Sequence, residues 1–219
     1  MNESLPAPFD LLPPLLEGLR VTLRLTSGAA VVAVLAAFVA GIGRCAESRW
    51  LRWPARTYIE VFRGTSALVQ LFWFFYALPF LGVELGPLST GIVVLGLNVG
   101  AYGAEVVRGA LDAVPKGQLE AARALSFDRR QTFLRIVLPQ AVPRMLPPFG
   151  NLSVELLKNT ALVSMITLAE LTFRGQILQA ATLRTMEIYA VVLVLYYLVA
   201  KLFSWTFRAL EERYRVETV

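Results

Sequence analysis

Five stretches of this chain are apolar at nearly every position, and their lengths set the class of protein before any motif is read. Leu25 to Ile42, Gly64 to Leu81 and Leu88 to Ala104 hold no charged residue, and Ile188 to Phe207 holds only Lys201. Met145 to Leu168 is apolar apart from Glu155, Lys158 and Asn159. Crossing the hydrocarbon core of a bilayer takes about 20 residues of helix, because backbone polar groups must be satisfied within the segment itself. One or two such helices can hide in a soluble core, but four or five leave too little polar surface for a soluble shell. The pattern predicts an all-α, polytopic membrane protein with about five transmembrane helices in one domain, residues 1–219. Two stretches are too polar to face lipid: Val114 to Pro148, and Glu170 to Glu187, which reads as an outer amphipathic helix or a re-entrant element.

Composition agrees. The chain is 56% hydrophobic and 17% charged, against about a quarter charged in soluble domains. Its net charge of +5 could suggest nucleic acid, but the placement of the basic residues argues for membrane topology and against a nucleic-acid partner. Arg44, Arg49, Arg52 and Arg56 lie between the first two spans, and Arg108, Lys116, Arg123, Arg129, Arg130, Arg135 and Arg144 between the third and fourth. Arg208, Arg213 and Arg215 follow the last, whereas Gly82 to Pro87 has no Lys or Arg. Basic loops stay in the cytoplasm, so the N-terminus is expected outside and the C-terminus inside. The early prolines, Pro6, Pro8, Pro13 and Pro14, interrupt any secretory-signal run, and the first span is expected to be retained.

Several chemistries are excluded. The chain has no His and one Cys, which removes the commonest metal ligand, any His-assisted nucleophile and an internal disulfide. No metal site or catalytic residue is predicted. A phosphate-binding loop needs Gly-Lys followed by Ser or Thr, yet Lys116, Lys158 and Lys201 follow Pro115, Leu157 and Ala200. Any ATP hydrolysis must therefore occur on another chain.

What remains are polar groups inside apolar helices. Asn98, Tyr102 and Glu105 share one helix face at i, i+4, i+7, while Gly96, Gly100 and Ala104 form a small-residue stripe on another. A carboxylate in a membrane is expensive unless paired or facing a cavity, and Arg108 stands one turn beyond Glu105. Glu155 and Lys158 repeat the pattern, with Asn159 beside them. These six residues can line a solute pathway or form structural ion pairs, and spacing does not separate the two. The aromatic block Phe72 to Tyr76 reads as lipid and helix packing. Between Val114 and Pro139, small Ala121, Ala122 and Ala124 with Leu119 and Leu125 describe a short amphipathic helix that a partner could approach closely.

Here the residues carry a resemblance. Glu120-Ala121-Ala122, followed by the ending Ile136-x-Leu138-Pro139, resembles the EAA loop of ABC importer permeases. Phe62-Arg63-Gly64-Thr65 with Val69-Gln70, Ala101-Tyr102 with Glu105 and Arg108-Gly109, Gly117-Gln118, and Leu157-Lys158-Asn159-Thr160 are similar to the polar amino acid permeases. The resemblance implies a type I ABC importer permease fold in a bacterial inner membrane. It also implies a coupling helix, with Gly117, Glu120, Ala121, Ala122, Ser126, Ile136, Leu138 and Pro139 docking on an ATPase dimer that binds ATP and Mg. A second permease chain, identical or homologous, and an external solute-binding protein are implied as partners. Segments around Leu97 to Glu105 and Leu162 to Arg174 look most similar to ectoine and hydroxyectoine permeases. Where the family usually has Gly, this chain has Ser126; a left-handed backbone there would cost on the order of 1 kcal/mol. On the residues alone, a self-contained channel or proton-coupled carrier using Glu105 and Glu155 stays open as the alternative.

Overall fold

The structure, a computed structural model, describes residues 9–214. Among them every element is helical: α1 (Leu12–Cys45), α2 (Arg49–Gly64), α3 (Ala67–Phe72), α4 (Pro87–Asp112), α5 (Lys116–Ala124), α6 (Arg129–Thr132), α7 (Leu138–Asn159), α8 (Leu171–Thr182) and α9 (Thr185–Arg213). The all-α membrane architecture expected from the apolar runs is what the chain forms. α1, α4 and α9 are each long and apolar enough to cross a bilayer alone. The other two crossings are broken: Arg49–Gly64 meets Ala67–Leu81 at 105°, and Arg129–Ile166 meets Leu171–Thr182 at 52°.

The broken second crossing corrects the expected span. Gly64 was expected to open it, yet Gly64 is the last of the 16 residues of α2. Arg49, Arg52, Arg56, Glu60 and Arg63 fall along one side of that helix, so the charge hides an amphipathic element from an apolar-run reading. Ala55 and Ile59 on the adjoining face are buried with Ala40 of α1 and Ala104 of α4.

The core is the α1–α4 contact. Without a hydrophobic driving force between helices in lipid, close backbone approach is what holds them, and the small-residue stripe supplies it. A Cβ at Gly96 would sit 2.6 Å from Val32 Cβ, and one at Gly100 would sit 2.8 Å from Ala36 Cβ. Opposite them Ala29, Ala33 and Ala37 are buried. A β-carbon on α4 would push the helices apart and lose this contact.

The two breaks are stitched by buried polar groups. At the α2–α3 corner the Gln70 amide donates to Phe62 O (3.0 Å) and Thr65 Oγ1 (2.6 Å), and Asn98 Nδ2 donates to Phe62 O (3.1 Å) and Gln70 Oε1 (3.0 Å). A carbonyl in the last turn of α2, left without an intrahelical partner, is thereby satisfied. At the α7–α8 break, buried Glu170 caps α8: its Oε1 accepts from Phe173 N (2.8 Å), and its Oε2 accepts from Tyr196 (2.9 Å) and Thr22 (3.4 Å). That one carboxylate joins α1, α8 and α9. The Glu170 to Glu187 segment is thus a packed helix followed by the start of α9.

Prolines shape both bent crossings in the same way. A π-helical turn, Trp73–Ala77, ends two residues before Pro79, and another, Phe133–Val137, ends two residues before Pro139. Proline cannot donate to the carbonyl four residues back, and its ring crowds that position. Widening the preceding turn is one way to keep the helix continuous through it.

Candidate functional site

Three places hold the residues singled out by sequence: the exposed helix α5, the stretch of α4 from Asn98 to Glu105, and the C-terminal half of α7.

α5 stands off the bundle. Only Ala122 is fully buried; Gly117, Glu120, Ala121, Ala124 and Leu125 are exposed, Leu125 at 69%. Its nearest support is the π turn Phe133–Val137, where Ile136 is half-buried, as is Leu138 just after it, while Pro139 is exposed. Leu134 in that turn is 46% exposed, so it and Leu125 both lack apolar cover among the described residues. Gly117 has a negative φ, and a Cβ there would meet nothing within 4 Å. Nothing within the chain demands glycine at that position.

The end of α5 is held firmly. Ser126 has φ 56°, the left-handed region. Its N–H donates to Arg123 O (2.9 Å), and Phe127 N–H donates to Ala122 O (3.0 Å), the Schellman pattern that normally uses Gly. The chain therefore carries the cost foreseen for Ser126 and does not adjust the turn. Asp128 then opens α6 with a reciprocal capping box to Gln131. Arg129 pairs with Glu47 at 2.6 Å, and Arg144 donates to Ala113 O at 2.6 Å. The first contact ties α6 to the α1–α2 turn, and the second ties α7 to the end of α4.

On α4 the three residues expected to act together are separated by environment. Asn98, expected on the pathway, is buried in the α2–α3 corner described above, because its amide is consumed by Phe62 and Gln70. Tyr102 is half-buried under Arg63, whose guanidinium lies 5.2 Å from the ring centre. Glu105 does meet Arg108, at 3.0 Å, but Arg44 of α1 is closer at 2.7 Å, and Arg63 of α2 stands at 3.9 Å. Sequence spacing found only the partner on the same helix; Arg44 and Arg63 needed the fold.

α7 is the opposite case. Glu155 and Lys158 are exposed and Asn159 half-buried, and among the described residues no ion pair or side-chain hydrogen bond joins Glu155 to Lys158. The buried ion pair, one of the two readings the spacing leaves open, does not form: Glu155 and Lys158 are exposed while Leu156 and Leu157 between them are buried. Asn151 is exposed one turn earlier on the same face. It was missed, although the i, i+4, i+7, i+8 spacing of Asn151, Glu155, Lys158 and Asn159 is the same kind of signal that marked α4.

Two of the five crossings in this helical bundle are broken, and an exposed helix stands at its basic end. Residues 13–216 match the family described as "Binding-protein-dependent transport system inner membrane component", and the chain belongs to it. It is 43% identical over 208 residues to the "Probable amino-acid ABC transporter permease protein y4tF" of Sinorhizobium fredii, covering 92% of this chain and 87% of that one. It is 36% identical over 214 residues to the glutamine transport system permease protein GlnP of Escherichia coli K12, covering 95% and 96%. A chain from the crystal structure of an amino acid ABC transporter with histidines superposes with a TM-score of 0.85 at 34% identity, covering 92% of this chain and 94% of that one. The methionine transporter MetNI, at 20% identity and a TM-score of 0.80, shares the fold. The chain is a permease subunit of the inner membrane, a transport component and not an enzyme.

Proposed function

We propose that this chain imports polar amino acids or related compatible solutes, with α5 as the handle by which an ATPase dimer drives it. The observation that carries this reading is α5 itself: an exposed helix whose Ala121, with Leu125 and neighbouring Leu134, finds no apolar cover among the described residues, and whose C-terminal end is fixed by the hydrogen-bonded turn at Ser126. Arg44, Arg49, Arg52 and Arg56 about the α1–α2 turn, with Arg123, Arg129 and Arg130 around α5, support a cytoplasmic position for it, with the C-terminus on the same side and the N-terminus outside.

The polar face of α7 supports a second permease chain. Asn151, Glu155 and Lys158 are exposed on a helix whose neighbours Leu156 and Leu157 lie in the core. Charged side chains at membrane depth face a water-filled cavity or a partner, so a pathway closed by a second copy or a homologue accounts for them. A carboxylate and an ammonium three residues apart offer complementary groups to a zwitterion, and Asn151 and Asn159 add donors and acceptors. An external binding protein would deliver the solute, and nucleotide binding would shift the packing of the crossings between two states. The relatives' transport of glutamine, cystine and octopine supports amino acids as the class; ectoine and hydroxyectoine form the finer reading, supported by the resemblance of the Leu97 and Leu162 segments.

The test is reconstitution with the ATPase and binding protein. Glu120→Lys should abolish the stimulation of ATP hydrolysis by liganded binding protein while leaving the fold intact. Stimulation that survives this change would remove α5 from the coupling role. A binding-protein panel preferring ectoine over glutamine and histidine supports the finer solute reading, and the reverse order overturns it.

A further inference from the structure

We propose that the groove at the cytoplasmic ends of α1, α2 and α4 holds the headgroup of an anionic phospholipid. The groove encloses about 1210 Å³, and Arg44, Arg49, Arg52, Arg56 and Arg108 line it against a single carboxylate, Asp112. Three of the five arginines are already engaged. Arg44 and Arg108 bind Glu105 at 2.7 and 3.0 Å, Arg108 also reaches Asp112 at 2.9 Å, and Arg56 pairs with Glu60 at 2.6 Å. Arg49 and Arg52 have no ion-pair or side-chain hydrogen-bond partner among the described residues. Two guanidinium groups with unused donors, three residues apart on one helix, suit a phosphodiester that each can bind through two N–H groups.

The rest of the lining selects the source of that phosphate. Trp50 and Trp53, 89% and 71% exposed, stand among the arginines at the mouth of the groove. Indole rings settle at the headgroup level of a bilayer, where one part of the ring is wet and the other apolar. The groove also lies where α1 ends at Cys45 and α4 at Asp112, which is the depth of the headgroups. Basic pockets between transmembrane helices on the cytoplasmic side are the kind of site that takes anionic lipid. A free phosphate would be served by the arginines but would have no use for two exposed indoles. The proposal borrows from the function reading only the leaflet; the chemistry needs nothing but the ends of the crossings.

The experiment uses the full chain in detergent, alone or in its assembled transporter, offered equal amounts of phosphatidylglycerol and phosphatidylcholine and read by native mass spectrometry. Phosphatidylglycerol should be retained about tenfold over phosphatidylcholine, a preference that two surface arginines can supply. The double variant Arg49→Gln/Arg52→Gln should bring the two lipids close to equality. Arg49→Lys/Arg52→Lys should keep most of the preference, which separates charge from a folding defect. Equal retention by the unaltered chain, or an unchanged preference in the glutamine variant, would overturn the proposal. Displacement of the lipid by millimolar inorganic phosphate or by amino-acid solute alone would overturn it too, marking a soluble-anion site or a pathway vestibule. Failure of ATP-driven uptake would not touch this readout, so the two proposals fail separately.

Discussion

Glu105 and Glu155 have the same local setting, each three residues before a basic side chain on an apolar helix, and the fold gives them opposite surroundings. Glu105 is gripped by Arg44 at 2.7 Å and Arg108 at 3.0 Å, with Arg63 at 3.9 Å, from three different helices. Glu155 is exposed and meets no cation among the described residues. The first carboxylate has its charge answered internally, so it reads as a joint between crossings. The second has its charge left open on a membrane-depth face, which makes sense only if water, a solute or another chain stands there. An i, i+3 acid–base pair in a membrane helix therefore does not by itself distinguish structure from pathway; the count of cations arriving from other helices does.

The contrast can be broken by substitution. Glu105→Ala leaves two guanidinium groups without their shared acceptor in a partly buried place and should cost about 2 kcal/mol of stability, visible as a lowered unfolding midpoint in detergent. Asn98→Leu deprives Phe62 O and Gln70 of their partner and should cost slightly less, about 1–2 kcal/mol, by the same measurement. Ser126→Gly removes the left-handed strain and should stabilise by about 1 kcal/mol, sharpening the view of α5 as held in a fixed pose. Glu155→Gln should change stability least, within about 0.5 kcal/mol. A large stability loss at Glu155, or none at Glu105, would reverse the assignment of joint and pathway.

Much of this architecture was legible in the sequence, because it follows from composition along the chain. The apolar runs located α1, α4 and α9, and the Gly96, Gly100, Ala104 stripe located the face on which α1 and α4 meet. What was hidden has several causes. Of the helix-ending left-handed positions only Gly82 is a glycine; Ser126, Thr167 and Leu183 are not, so the fourth span was read through to Leu168, past the 3-10 turn Thr160–Ile166 and the left-handed Thr167 where it ends. α2 was missed because its arginines masked an amphipathic helix as a loop. Glu170, seen only as the start of a polar stretch, turned out to be a buried cap joining three helices, since a carboxylate's partners from α1 and α9 cannot be read from its neighbours in sequence. On α4 the spacing grouped Asn98 with Tyr102 and Glu105 correctly as one face, yet that face turns from a buried corner into an arginine cluster over its length.

The assignment of Glu155 to the pathway is tested most directly by solute uptake into vesicles containing the permease with its ATPase and binding protein. This assignment requires ATP-dependent accumulation by the unaltered chain. It also requires a fall of about tenfold or more in Glu155→Gln, from the loss of one hydrogen bond to a charged group, with an unfolding midpoint that does not move. Uptake by Glu155→Gln equal to that of the unaltered chain would contradict it, as would accumulation driven by a pH gradient with no ATPase present.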